Sequence, residues 1–281
     1  MTSCSRSEVR RCRPLLGTFV EITARGAGLA LMERAVSDAF GAIETVQRLM
    51  SVHDETSELS QLNWRAHLEP VQVSTPTFTV LQRALALARE SEGAFDFTIG
   101  ATLARWGMRP RALRRRTSGT WHDVALLPDN RIRFARPLAV DLGGIAKGYA
   151  VDCAIAALRE CNVPSGLVNA GGDLRAFGDE TIPVYLRHPG APQRLVRSVE
   201  LCNAALATSS PCFTRRRWRG RSVSHLVKQD RCSAITQDIS VTVRARKCWV
   251  ADALTKVVLN APRCAERLLA QYDAEAFVLT A

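Results

Sequence analysis

The sequence predicts an α+β fold in which largely antiparallel sheets are flanked by helices. Two observations carry this expectation: short extended segments come in runs instead of alternating singly with helices, and the amphipathic helical segments are grouped. A third bounds it. The chain has 281 residues, 47% of them hydrophobic, with no internal repeat and no linker-like stretch, which fits one unit with a substantial core. Residues 1–14 are expected to be an N-terminal tail and residues 15–281 a single domain.

Residues 15–24 alternate β-branched and polar side chains after a glycine and read as the first strand. Over residues 30–50, Leu31, Ala35, Phe40, Ile43, Val46, Leu49 and Met50 recur at helical spacing. Residues 57–63 form a short helix, opened by a Ser cap and closed by Asn63. Residues 71–73 are extended, and residues 77–91 form a second amphipathic helix with Leu81, Leu85, Leu87 and Ala88 on its apolar face. Between residues 109 and 120 the composition turns basic and loses its apolar period, as in a surface loop or mobile insertion. Residues 131–134 alternate as a strand. Val140-Asp141-Leu142 reads as a short apolar strand, Gly143-Gly144 as a turn, and the residues on to Leu158 as a helix. Residues 165–178 look like a strand, a glycine bend and a second strand, with further short strands as far as Val243. Helices at 251–259 and 261–270 precede a final strand at 276–280.

A net charge of +11, from 38 Lys and Arg against 27 Asp and Glu, suits anionic partners such as nucleotides, nucleic acid or an acidic membrane surface. No aromatic-interleaved platform and no helix-turn-helix pattern supports nucleic acid, so none is expected as a partner. Nine cysteines, with no C-x-x-C pair and no His at metal-ligand spacing, point to reduced thiols and away from a disulfide framework or a zinc site. The Arg-rich first residues lack an apolar core, so no signal peptide and a cytoplasmic location are expected. No run reaches the length of a transmembrane segment.

The chemistry concentrates in three Asp-and-Gly turns, at Phe95-Asp96, Asp141-Leu142-Gly143-Gly144 and Gly171-Gly172-Asp173. Glycine lets the backbone approach a ligand, and Asp supplies hard oxygens for a cation or an acceptor for ribose and amide donors. After Gly143-Gly144 a helix N-terminus favours phosphate, with Lys147 adding positive charge. On a second helix, Thr255 and Lys256 lie three and four residues beyond Asp252, so the three share a face. Plainer readings stand beside these: Asp and Gly are the default turn formers, and Asp252 with Lys256 forms an ordinary i,i+4 pair.

Set in order, these stretches resemble the ApbE-type FAD:protein FMN transferases. The matching residues are Leu16-Gly17-Thr18, Met50-Ser51 through Ser57–Asn63, Gly93-Ala94-Phe95-Asp96, Trp106-Gly107 and Asp141 through Tyr149. Asn169 through Asp173, Ala207-Thr208-Ser209, Ser224-His225 and Ala251-Asp252-Ala253-Leu254 complete the series. The resemblance runs from about residue 15 to residue 259. It implies an ApbE-like, T-fold-related architecture. It also implies an enzyme that uses FAD and Mg2+, releases AMP, and links FMN to a Ser or Thr hydroxyl of an acceptor flavoprotein.

Carried over by position, Ala94, Phe95 and Asp96 line the flavin nucleotide site, and Asp141 and Lys147 hold FAD. Leu16, His53, Asp173, Ser209 and Leu226 complete the cofactor contacts. The metal falls to the Gly144 carbonyl, Asp252, and Thr255 or Lys256. His225 is a candidate general base or phosphate contact, and Asp252 joins it as a catalytic candidate.

The chain also departs from that family. His53 stands where an aromatic is common, Ser210-Pro211-Cys212 where Gly-Asp-Tyr is usual, and Lys228 where an Asp is usual, with Asp230 two residues on. Lys256 occupies the place of a Thr, and a charged ammonium offers only donors. Either Thr255 or the backbone supplies the missing oxygen, or Lys256 fills the cation's place. Besides the transferase, the sequence therefore leaves open a degenerate FAD carrier and a FAD pyrophosphatase giving FMN and AMP.

Overall fold

A computed structural model describes residues 7–117 and 119–281. The first element is a hairpin: strand β1 (Ser7–Leu15) turns at Leu16 and Gly17 into β2 (Thr18–Gly26). Both turn residues have positive φ, 56° and 71°, as a two-residue hairpin with the natural twist requires. The expected single strand at 15–24 is thus the turn and second arm of a hairpin. The expected tail is corrected too, because residues from Ser7 onward pair along the whole of β2.

Helix α1 (Leu29–Met50) follows, then α2 (Glu58–Arg65), β3 (Val71–Gln72), α3 (Thr75–Glu90) and α4 (Gly100–Arg105). Strands β4 (Val124–Leu127) and β5 (Arg131–Phe134) lead to α5 (Ala146–Glu160). Next come β6 (Ser165–Ala170), β7 (Asp173–Phe177), β8 (Ile182–His188), β9 (Ala191–Leu201) and β10 (Ala205–Ser209). Short strands β11 (Arg216–Trp218) and β12 (Arg221–Val223) precede β13 (Ile239–Ala245). Helices α6 (Cys248–Asn260) and α7 (Pro262–Gln271) and strand β14 (Glu275–Thr280) end the chain.

The main sheet has seven strands in the order β1-β2-β6-β7-β10-β13-β14, every neighbouring pair antiparallel. Helices α1, α5 and α6 pack on it, α1 against α5 and α5 against α6. Helix α1 buries Met32, Ala35, Val36, Ala39, Phe40, Ile43 and Val46, a stripe at 3.6-residue spacing. Around Asp252 helix α6 is apolar on nearly every side and correspondingly sunk between α5 and the sheet. The β8–β9 hairpin makes a smaller core with β7 and β10 through Leu174, Leu186, Leu201 and Leu206. The three-stranded sheet β3-β5-β4 stands apart from the seven-stranded one.

Two local differences from the sequence reading have physical causes. Val140-Asp141-Leu142 is not a strand, because a side chain takes the role of a partner strand. The amide of Asn63 donates to the Val140 carbonyl at 3.0 Å and accepts the Val140 N–H at 2.7 Å, while the Asp141 N–H goes to the Phe97 carbonyl at 2.7 Å. The basic segment carries a 3-10 turn at Arg111–Arg115, pinned by buried Leu113. The eight described cysteines are all unpaired. Among the described residues no helix is long and apolar enough to cross a membrane.

One buried contact sets the pose of α6. Asp152, on the inward face of α5, accepts the N–H groups of Cys248 and Trp249 at 3.1 Å each and the Arg175 guanidinium at 2.6 Å. It therefore caps the first turn of α6 from another helix. Replacing Asp152 with Ala strips that cap and strands a buried guanidinium. Urea unfolding should show a loss of about 3 to 5 kcal/mol; a loss under about 1 kcal/mol would remove Asp152 from this role.

Candidate functional site

Helices α5 and α6 cross where only glycine fits. A Cβ on Gly148 would lie 2.4 Å from the Cys248 carbonyl oxygen and 2.8 Å from the Trp249 Cα, both backbone atoms. This close approach lets the Asp252 carboxylate on α6 accept the Gly148 N–H at 3.1 Å. Its other oxygen takes the Lys256 ammonium, which also donates to the Asp252 main-chain carbonyl at 2.9 Å. Thr255 turns the other way: its hydroxyl donates to the Asp252 carbonyl at 2.6 Å and lies 2.7 Å from the Ser209 hydroxyl. Ser209 is thereby fixed as a buried support for α6.

Two further ion pairs join the first. Lys147, one residue before Gly148, pairs with buried Asp173 from the turn between β6 and β7. Arg109 clamps Asp141, whose carboxylate also accepts the Gly143 N–H at 2.8 Å. A Cβ on Gly143 would meet Asp141 Oδ1 at 2.9 Å and Arg109 Nη2 at 3.2 Å, so the glycine makes room for this pair. Neither Gly143 nor Gly144 has positive φ. The glycines of this turn serve proximity, not an unusual backbone angle.

The three pairs border one cleft of two halves. One half is walled by Gly93–Asp96, Leu226–Gln229, Gly144, Lys256 and Asn260. The other is walled by Leu16, residues 46 and 47, residues 50–53, Lys147 and Thr214. Arg109, Asp141, Gly143 and His225 line both, so the charged groups sit at the junction. Leu16, His53, Ala94, Phe95, Asp96, Asp141, Gly144, Lys147, His225, Leu226 and Lys256 are thus brought together around one space. Asp173, Ser209, Asp252 and Thr255 lie behind it and touch the lining residues or one another.

The surroundings tune each group. Burial pushes the Asp252 carboxyl up, but Lys147, Lys256 and the Gly148 N–H outweigh it and hold the group below the usual carboxylate range. Asp141 follows the same pattern, with burial overcome by Arg109 and the Gly143 N–H. Burial pushes Lys147 down, although 34% of its side chain stays in contact with solvent. His225, whose Nδ1 lies 2.5 Å from the Thr214 hydroxyl, is lowered to about 4. Burial is the main cause, followed by Lys256, Lys147 and Arg109, with Asp141 pulling the other way. Near neutral pH the imidazole is uncharged.

Several of these contacts were not singled out by sequence reasoning. Arg109 fell within a basic run and carried no motif of its own. Arg231, at a positive φ of 62°, approaches Asp96 at 3.2 Å and donates to the Thr98 carbonyl at 3.0 Å. Asp96 is thus held by Arg231 and by the Thr98 N–H and hydroxyl, both at 2.7 Å. Asp230 does not stand in for the acid displaced by Lys228. Its carboxylate caps its own turn, accepting the N–H groups of Cys232 and Ser233 at 2.8 Å. His53 lies exposed at the cleft mouth.

A carboxyl held low in the folded state stabilises the fold above its unfolded value near 4 and loses that contribution as pH falls through its folded value. Asp141→Asn should cost about 3 kcal/mol or more at neutral pH by stranding Arg109. The difference from wild type in urea unfolding should then shrink as the pH is taken well below about 4. A difference that stays constant down to acid pH would show that Asp141 is not held ionised by this clamp.

Comparison with known proteins adds relatives to this geometry. The family model described as the ApbE family matches residues 16–278. A Vibrio cholerae protein named FAD:protein FMN transferase is 30% identical over 265 residues, covering 88% of this chain and 79% of that one. A Haemophilus influenzae protein of the same name is 27% identical, covering 82% and 73%. Among solved structures, the flavin transferase ApbE of Vibrio cholerae has a TM-score of 0.81 at 26% identity, covering 97% of this chain and 93% of that one. The apo flavinyl transferase ApbE of Pseudomonas stutzeri has a TM-score of 0.84 at 21% identity, covering 100% and 93%, a likeness of fold.

Proposed function

The chain belongs to the ApbE family, and on that premise we infer that it transfers FMN from FAD to a Ser or Thr hydroxyl of an acceptor flavoprotein, releasing AMP. The observation that carries the reading is the cleft junction. A dinucleotide has two bulky ends and an anionic middle, and the cleft has two halves that meet at Arg109, Asp141 and His225, with Lys147 and Lys256 on either side. Phosphoryl transfer asks a protein mainly for positioning and for positive charge at the pyrophosphate. Both are supplied here from helices and a glycine turn.

In the proposed step the acceptor hydroxyl oxygen attacks the FMN-side phosphorus. The new O–P bond forms as the bridging P–O bond breaks, and AMP leaves with the bridging oxygen. The hydroxyl proton passes to His225. With Nδ1–H donated to the Thr214 hydroxyl, Nε2 is left as the acceptor. The three cations that add to burial in keeping His225 neutral are the ones a bound pyrophosphate would offset. FAD itself therefore makes the imidazole a stronger base than it is in the free protein.

Mg2+ is expected from the resemblance, and a divalent ion supplies charge neutralisation and polarisation at a phosphoryl oxygen. The side chains around Asp252 do not fit it. Lys256 and the Gly148 N–H occupy the two carboxylate oxygens, Thr255 is committed to Ser209 and to the main chain, and no cluster of three metal-ligating acids, His or Cys exists among the described residues. No step is routed through a metal.

Incubation of the protein with FAD and a purified acceptor domain should give covalent flavin on the acceptor and one AMP per flavin attached. AMP without covalent flavin would instead indicate a pyrophosphatase, and neither product would indicate a carrier. For the transferase, kcat/KM should fall on the acid side near pH 4, the free imidazole's value. The acid limb of kcat should lie at higher pH, because FAD offsets the neighbouring cations. His225→Gln should lower kcat by about a hundredfold or more; a variant with full activity and an unchanged acid limb would remove His225 as the base.

A further inference from the structure

We propose that the ε-ammonium of Lys256 is the resident cation of this site, standing against the FAD pyrophosphate in place of a divalent metal, so that FAD binding and FMN transfer need no added metal ion. The inference rests on the FAD reading above and concerns only the source of positive charge.

Four observations support it. First, the ammonium is held where a metal bound by Asp252 would have to lie: against one carboxylate oxygen and 2.9 Å from the Asp252 carbonyl, with the second carboxylate oxygen already given to the Gly148 N–H. An ammonium has three N–H donors, and these two contacts leave one for a ligand. Second, the lysine is built in and does not dangle. A Cβ on Gly144 would lie 3.4 Å from both Lys256 Cε and Phe95 Cε2, so the stem and the ring border the slot that the glycine's missing side chain leaves open. Only 17% of the side chain reaches solvent. Third, Lys256 lines the same half of the cleft as Phe95, Asp96 and His225, where its charge is already felt by the imidazole.

The fourth observation removes the further oxygen donors on α6. A metal beside Asp252 would draw on a hydroxyl or carbonyl of the same helix. The Thr255 hydroxyl instead points to Ser209 and is buried, and the Asp252 carbonyl already accepts from Thr255 and Lys256. For a divalent ion to enter, the ammonium must leave an ion pair whose carboxylate is fully buried. Toward phosphate a lysine acts as a point charge, so it can neutralise and donate one hydrogen bond without gathering several oxygens as a metal does.

The test uses the full chain, with FAD affinity read by flavin fluorescence in Mg2+ or in excess EDTA. Binding of Mn2+ alone is read by its electron paramagnetic resonance signal. Wild type should bind FAD equally well in both media and leave the Mn2+ signal that of the free ion. Lys256→Thr should lose at least about tenfold in FAD affinity in EDTA, the scale of one charged hydrogen bond, and regain it with Mg2+. It should also bind Mn2+. Wild-type FAD affinity that collapses in EDTA, or wild-type Mn2+ binding that is lost in Asp252→Asn, would overturn the proposal while leaving the transferase reading intact. Failure of wild type to bind FAD in either medium would overturn both.

Discussion

Two helices that cap one another are the constraint on which the site depends. At the crossing of α5 and α6, Gly148 brings the two backbones together, and each helix lends a carboxylate to the other's first turn. Asp152 of α5 takes the N–H groups of Cys248 and Trp249, and Asp252 of α6 takes that of Gly148. Helix N-termini carry unpaired donors and a partial positive charge, so each acid is stabilised where it lies and each helix end is satisfied. Rotating either helix breaks both contacts together. Lys147 and Lys256, one on each helix, are therefore fixed relative to one another without any side chain of the cleft having to hold them.

This arrangement accounts for the electrostatics around the junction. Asp141 and Asp252 are withdrawn from water, which by itself favours their neutral forms; Arg109 keeps the first a carboxylate and Lys147 with Lys256 the second, while buried Asp173 pairs with Lys147. The pairs nearly cancel when the cleft is free. A ligand with two negative charges changes that balance, because it faces Arg109, Lys147 and Lys256 while Asp173 and Asp252 lie behind the lining. His225, held uncharged by burial and then by three cations, feels that change. On the proposed reading, anion binding is coupled to the basicity of a histidine through charge.

Much of this was legible in the sequence, and the failures share a cause. The long helices were readable because their apolar stripes repeat every 3.6 residues, and α6 was read from the same spacing at 251–259. The first hairpin was misread because Leu16 adopts a positive φ that nothing in a leucine announces. Val140–Leu142 has a strand's composition, but its hydrogen-bond partners are the Asn63 side chain and the Phe97 carbonyl, which no local pattern reveals. Asp152 did leave a signal: an acid on the apolar face of a helix, between Gly148 and Ile155, is costly unless something is paired with it. Arg109 and Arg231 left none, since their partners lie 32 and 135 residues away in the chain.

The position of Lys256 also gives the second glycine of the Asp141-Leu142-Gly143-Gly144 turn a definite purpose. Gly143 is needed for the Asp141 and Arg109 pair, which a Cβ would crowd at under 3.0 Å. Gly144 has no such conflict. The atoms nearest to its absent Cβ belong to Lys256 and Phe95, at contact distance. An alanine there would touch the lysine stem without overlapping it, whereas any larger side chain would fill the slot through which the ammonium reaches the cleft. A threonine at 256 would not extend that far and would leave the slot open. The glycine turn and the lysine therefore fit as one device, in which the motif supplies an opening and the departure from the family pattern supplies the charge that fills it.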